Sequence, residues 1–463
     1  MSTVKMPVTE RIYERYRVRR EVSQTADLAA LFLARLRYEA PESTPGSVQE
    51  LLGRLAGGQL ERVSGARAVA FAHWLRKHLM ITETVRGSRK VASYCPIHPA
   101  LSLATNAEGR RVDAFVRHLA GCFSPEERQR LQERLWDPER QPAFERVVFE
   151  LLSWQLPPGD PAPPASCPPT LIENAEPGTP DGILLRAKED LLALSEVVAG
   201  VEAFVAHAGR LLAFTVTRYL LACAGVPLTL PIYAAPAADT HEGVKTLAHE
   251  IIDYHRGQFQ RALAKQFGDA VAAAAGECGE DPDPADEATA ARLAAQLFSG
   301  RARIVRPERY AEMRERLGSF TEVALAYYWS ESGATGRFLR QLHTAHLNLA
   351  KKAGIANSRS RQSQWHFYWL SPSLVDTLLL ASRARFAEDR VLVADLLDEW
   401  RERYGVALLI DAGWEAEYRR SFRALGSPDA LNEANQRRFS EILSEQGRIH
   451  KNSDEFPWVL LRD

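Results

Sequence analysis

ILLRAKEDLLALSEVVAGVEAFVAHAGRLLAFTVTRYLLACA, residues 183–224, decides the fold class. Leu184, Leu185, Leu191, Leu192, Leu194, Val197, Val198, Val201, Phe204 and Val205 recur at the three- and four-residue spacing that lines one side of a helix. Gly200 and Gly209 are the points at which so long a run would bend or divide. Segments 244–267 and 320–352 carry the same spacing. No fixed-period repeat and no alternation of strands with helices is present, which argues against a doubly wound sheet. The sequence therefore predicts a mainly α, multi-domain helical protein with small winged-helix-like α+β modules near the N- and C-terminal ends.

Working outward, the run is preceded by LPPGDPAPPASCPPTLIENAEPGTPDG, residues 156–182, whose proline density is that of a linker. A weaker boundary is the acidic, proline-containing GECGEDPDPADEAT at 276–289. The expected organisation is an N-terminal domain over 1–155, the linker at 156–182, a helical middle over 183–300 and a C-terminal domain over 301–463. Proline-bounded PDGILLRAKED opens the long run, with Asp181 as the expected helix cap.

Strand signals are local. ARAVAFAHWLRKHL at 66–79 reads as a helix, and MITETVRGSRKVASY at 80–94 as a hairpin with a basic tip, which is a winged-helix order. NEANQRRFSEILSEQG at 432–447 followed by RIHKNSDEFPWVLL at 448–461 repeats that order.

The 463 residues are enough for two or three cores, and 46% hydrophobic with 25% charged residues is ordinary globular composition. A net charge of −1 excludes a uniformly basic nucleic-acid coat but leaves room for a local basic face. Five cysteines without dense spacing argue against a disulfide scaffold and for a reducing, cytoplasmic setting. The charged start MSTVKMPVTERIYERYRVRR has no apolar signal-peptide core. The uncharged stretch 219–238 is interrupted by Pro227, Pro231 and Pro236, so no membrane span is expected there.

CPIH and HLAGC place Cys95 and His98, then His118 and Cys122, as two close pairs. Two pairs of soft or borderline ligands, one on a tight turn and one on a helix, suit a structural zinc ion. The competing expectation is a buried helical stripe of Phe115, Leu119 and Cys122 with His118 at its margin. In TLAHEIIDYH at 246–255, His249 and Glu250 resemble half of a zinc-protease motif, but Asp253 occupies the second histidine position and His255 falls off that face. No Walker phosphate loop, G-x-S-x-G elbow or dinucleotide fingerprint is present.

KKAGIANSRSRQSQWHFYW at 351–369 supplies the candidate nucleic-acid contact. Lys351, Lys352, Arg359 and Arg361 can meet phosphates, and Asn357, Ser358, Ser360 and Gln362 add neutral hydrogen bonds. Trp365, Phe367 and Trp369 alternate as on a half-buried strand and are expected in the core. Arg86, Arg89 and Lys90 at the first hairpin tip are the second candidate group. Such charge runs are, most often, solvated surface.

The C-terminal FSEILSEQGRIHKNSDEFPWVLL at 439–461, with LLDEWRERYGVALLID at 396–411, resembles the tail of helical accessory subunits of bacterial anti-phage defence systems, of the phosphorothioation-dependent restriction or methylation-associated type. The resemblance covers about a seventh of the chain, carries no catalytic motif, and implies a partner protein that recruits DNA or scaffolds an ATPase or nuclease. The leading expectation is thus a non-catalytic subunit that binds duplex or single-stranded DNA and defence-complex proteins. The rivals are a metal-dependent nuclease or hydrolase, and an assembly subunit with no DNA affinity.

Overall fold

The computed structural model describes residues 7–19, 25–37, 80–85, 89–94, 112–135, 175–176, 178–198, 201–226, 232–233, 242–298, 309–330, 334–358, 365–410, 428–450 and 458–461. Among them are fourteen α-helices and nine short strands, so the chain is mainly α.

Burial on every side organises the molecule around one helix. The 183–224 run divides close to Gly200, into α5 (Pro180–Val197) and α6 (Val201–Cys223), while Gly209 sits inside α6 without breaking it. Positions 211–221 of α6 are all buried, including Thr215, Thr217 and Arg218, so this helix has no solvent face there. It packs on α2 (Thr25–Arg37), on α5, on α11 (Ala334–Ala353) and on α12 (Pro372–Ser382). Buried apolar side chains from Val8 to Leu461 join in one cluster around it. The N-terminal α1 (Val8–Tyr16), α3 (Asp113–Gly121) and α4 (Pro125–Leu135) pack at its margins.

The longest helix, α7 (Glu242–Cys278), has 37 residues and spans about 55 Å at the helical rise. Its buried stripe runs Val244, Leu247, Ala248, Ile251, Ile252, His255, Phe259, Leu263, Phe267, Val271 and Ala275. His255 is the one polar member of that stripe. The helix continues through the start of the acidic segment at 276–289. Gly279 then turns the chain, and Asp286 caps α8 (Glu287–Leu297) by accepting from Thr289 N at 2.8 Å. Asp283 in the same segment accepts from Phe320 N at 2.6 Å, tying it to the start of α10 (Phe320–Ser330), which follows α9 (Tyr310–Leu317).

The expected cap of α5 is corrected by one turn position. Thr179, not Asp181, is the cap residue, and its hydroxyl accepts from Gly182 N at 3.1 Å. Pro180 follows it at the first helical position, where a missing N–H costs nothing, and Asp181 lies in the first turn.

The strands are short ties. β1 (Met80–Val85) and β2 (Arg89–Tyr94) form the expected antiparallel hairpin, in register from Met80 with Tyr94 to Val85 with Arg89. The helix expected before it, at 66–79, lies outside the described residues. β3 (Ile232–Tyr233) pairs in parallel with β7 (Val406–Ala407). β4 (Ala356–Ser358) and β5 (His366–Tyr368) form a second antiparallel hairpin. Near the C-terminus the order is α12, β6 (Arg390–Leu392), α13 (Val393–Tyr404), β7, α14 (Pro428–Glu445), β8 (Ile449–His450) and β9 (Trp458–Leu460). β6, β9 and β8 make an antiparallel sheet with β9 in the centre. Trp400 of α13 packs edge-on against Phe439 of α14, with ring centroids 5.8 Å apart. No helix among the described residues is long and apolar enough to cross a membrane.

Candidate functional site

The 351–369 stretch is the end of α11 and the hairpin that follows it. Gly354 closes α11 in a left-handed conformation (φ +87°), and a Cβ there would lie 2.0 Å from Ser371 Oγ. Ser371 donates its N–H to the Gly354 carbonyl at 2.9 Å and caps α12 by accepting from Leu374 N. Glycine at 354 therefore lets the end of one helix and the start of another meet at the hairpin base. Ala356 pairs with Tyr368, Asn357 with Phe367 and Ser358 with His366. Arg359 and Arg361 lie in the connection between β4 and β5, outside the described residues.

The hairpin lies along α7, and two histidines one and a half turns apart hold it. His249 donates its Nδ1–H to the His366 carbonyl at 2.5 Å, while His255 Nδ1 and the Tyr368 hydroxyl are 2.9 Å apart. The two imidazoles thus engage different residues of β5, and His255 is fully buried. The aromatics divide as their alternation predicts. Phe367 is buried in the core, and Trp365 and Trp369 are half-buried against it. The Trp365 ring faces the His249 ring at a centroid distance of 4.6 Å and an angle of 32°.

Lys351, in the last turn of α11, is half-buried. Burial and then the like charge of Arg256 on α7 hold its ammonium below the usual lysine range. His366 is 7% exposed, with Nδ1 lacking a hydrogen-bond partner among the described residues. Burial first, then Lys351 and Arg256, push it down to about 4, so it is neutral at pH 7. Asp253 is the carboxylate in this group. It accepts from Arg256 at 3.2 Å and lies 3.4 Å from His249 Nε2. The hairpin base therefore combines Lys351 and Arg256, one compensating carboxylate, neutral imidazoles and a tryptophan face. Such a surface can receive an anion carrying a flat ring. Arg256 and His249 were not foreseen as parts of it, because they are about a hundred residues from the hairpin in sequence.

The other predicted residues are not brought to this place by any described contact. Arg86 lies outside the described residues. Arg89 and Lys90 are in β2, paired in register with Val85 and Thr84. Of the four zinc candidates, Cys95 and His98 lie outside the described residues. His118 and Cys122 are half-buried at the end of α3, where the Cys122 thiol donates to the His118 carbonyl at 3.2 Å. His118 Nε2 is 3.7 Å from Asp181 Oδ1, and burial followed by the charge of Arg17 lowers its affinity for a proton. Arg17 opposes a metal cation there for the same reason. Among the described residues, no group of three or more metal-ligating side chains converges.

A second concentration of charge joins helices. Asp190 of α5, 1% exposed, accepts from Arg385 Nη1 at 2.8 Å and Arg403 Nε at 3.0 Å. Arg186 Nη1 and Arg218 Nη2 donate to the Arg403 carbonyl at 2.6 and 2.8 Å, neutralising the C-terminal end of α13. Burial and Arg186 lower Arg218 to about 10, where it is still charged at pH 7. Every described contact here is to protein, and the cluster reads as a tie between α5, α6 and α13.

No family model matches the chain, no curated protein is similar to it, and no solved structure is similar to its fold.

Proposed function

We propose that the protein is a non-catalytic subunit that binds nucleic acid through the β4–β5 hairpin and scaffolds partner proteins in a bacterial anti-phage complex. The observation that carries the nucleic-acid part is the meeting of Lys351 and Arg256 at the hairpin base, two like charges pressed together beside a half-buried tryptophan. Phosphate relieves such repulsion by charge-assisted hydrogen bonds. Lys352, Arg359 and Arg361 extend the positive character along the same segment. The defence setting, with an ATPase or nuclease as partner, rests on the C-terminal sequence resemblance alone.

The test is titration of duplex and single-stranded DNA at several salt concentrations, with wild type beside an Arg359→Ala/Arg361→Ala variant. Binding with a steep salt dependence, shallower by about one to two units in the variant, is the expected result. Absence of binding at low salt removes the nucleic-acid reading. Zinc at Cys95, His98, His118 and Cys122 is a separable proposal, supported by the one-turn spacing of His118 and Cys122 on α3. Metal analysis of wild type against Cys95→Ser decides it.

The second reading, an assembly subunit, is favoured by the C-terminal module. Helix, strand, helix, helix, strand, strand with the last strand central is a winged-helix order, in which α14 occupies the DNA-reading position. Yet its exposed residues include Asp429, Glu433, Glu441 and Glu445 against the single exposed cation Arg437. Half-buried Arg438 is held by Glu441 at 2.8 Å. A helix of that balance is repelled by a phosphate backbone, so this module is assigned to protein contact.

A further inference from the structure

We infer that the base of the β4–β5 hairpin is a site for an unpaired nucleotide, with its phosphate between Lys351 and Arg256 and its base against the Trp365–His249 ring pair. The inference rests on the nucleic-acid reading and narrows it to a substrate class. Three independent features converge on it. The first is the like-charged pair, brought together from α11 and α7. The second is the ring pair, in which His249 is fixed by its bond to the His366 carbonyl and backs one side of Trp365. The third is His366, buried between these features with an unpartnered Nδ1 and within electrostatic reach of Lys351, Arg256, Asp253 and His249.

The pairing state follows from the geometry. In a duplex both faces of each base are covered by neighbours, and the tryptophan face is available only to a base outside the stack. Trp365 is half-buried and packs on Phe367, with centroids 5.4 Å apart, so it is a fixed platform rather than a wedge that opens base steps. Asp253 sits on the far side of Arg256 and aligns both Arg256 and His249. It also repels phosphate, which leaves Lys351 as the main phosphate partner. Base identity is not read, because every base offers a ring face and none of these groups matches a particular base edge.

The experiment uses the full chain with a ten-nucleotide oligothymidylate, a ten-nucleotide oligouridylate and a ten-base-pair duplex, at low and moderate salt. Variants are Trp365→Leu, Trp365→Phe and Lys351→Gln, each checked by thermal unfolding. Single strands are expected to bind more tightly than duplex and to quench a fluorescence component that Trp365→Phe removes. Trp365→Leu should weaken single strands roughly tenfold while Trp365→Phe retains most of the affinity. Lys351→Gln should lower the single-strand salt slope by about 0.7. A preference for uridylate or thymidylate tells whether RNA or DNA supplies the unpaired nucleotide. Equal or tighter duplex binding that is indifferent to Trp365→Leu overturns this inference and leaves the nucleic-acid reading standing. Failure of all three probes to bind at low salt overturns both.

Discussion

Asp190 shows what a single side chain does in this fold. It is 1% exposed and serves guanidinium groups from Arg385 and Arg403, which stand about two hundred residues later in the chain. Buried ion pairs add little beyond their desolvation cost, but removing one partner leaves a buried charge uncompensated. Asp190→Asn is therefore expected to lower the free energy of unfolding by about 3–5 kcal/mol, measured by urea titration. An unchanged midpoint would mean that the pair does not hold α5 to α13. Nothing in the 183–224 pattern announced this role. Asp190 there looks like one more polar residue of an amphipathic helix, and its partners become neighbours only when α13 docks. The same distance in sequence hid Arg256 and His249 from the site, whereas Lys351 and the alternating Trp365, Phe367 and Trp369 could be read where they stand.

At the scale of elements, periodicity was informative and its limits are physical. The division of the long apolar run near Gly200 was visible because glycine weakens a helix there, while Gly209 is overridden by burial on all sides of α6. The cap of α5 was misplaced because Thr179 and Asp181 both favour helix starts, and only the backbone decides which hydroxyl or carboxylate meets Gly182 N. The extension of α7 beyond 267 was hidden by the alanines at 270–275, which bury little area yet complete the stripe. Gly354 is the sharpest case of element-level constraint. Alanine there adds a left-handed residue with a side chain, about 1–2 kcal/mol, and an overlap with Ser371 worth about 1–3 kcal/mol. Gly354→Ala should thus lose about 2–5 kcal/mol in unfolding measurements. Because the hairpin base moves with it, nucleic-acid affinity should fall in the same variant.

The whole molecule carries its histidines in a way that sets an acid limit. His346 is fully buried in α11, donating Nδ1–H to the His343 carbonyl at 3.1 Å, and burial pushes it down to about 3. His366 at about 4 and the lowered His343 and His118 act in the same direction, from β5, α11 and α3. Each binds a proton more readily when unfolded, so stability is greatest above the unfolded value of about 6.5 and declines as pH falls from there. His346 alone should remove about 2 kcal/mol between pH 7 and pH 5. Urea titrations at the two values check this, and His346→Gln should flatten the difference by that amount. A pH-independent midpoint would show that these rings are hydrated in the folded protein. The sequence made the helical class plain, because periodicity is local. It was silent about this acid limit, because burial belongs to the finished assembly.

Helix α6 also bears on how the chain is made. Its residues 211–221 are buried on every side, and part of that cover is α11 and α12. On the ribosome these partners emerge only after a further stretch of roughly 110–160 residues, which at ordinary elongation rates takes on the order of 10–30 s. Throughout that interval LLAFTVTRYLL has an apolar flank and no permanent neighbour to cover it. A nascent chain of this design depends on chaperones, or on provisional burial against α2 and α5, which have already been synthesised. Its yield in a cell will be governed by what happens in those seconds as much as by the stability of the finished fold.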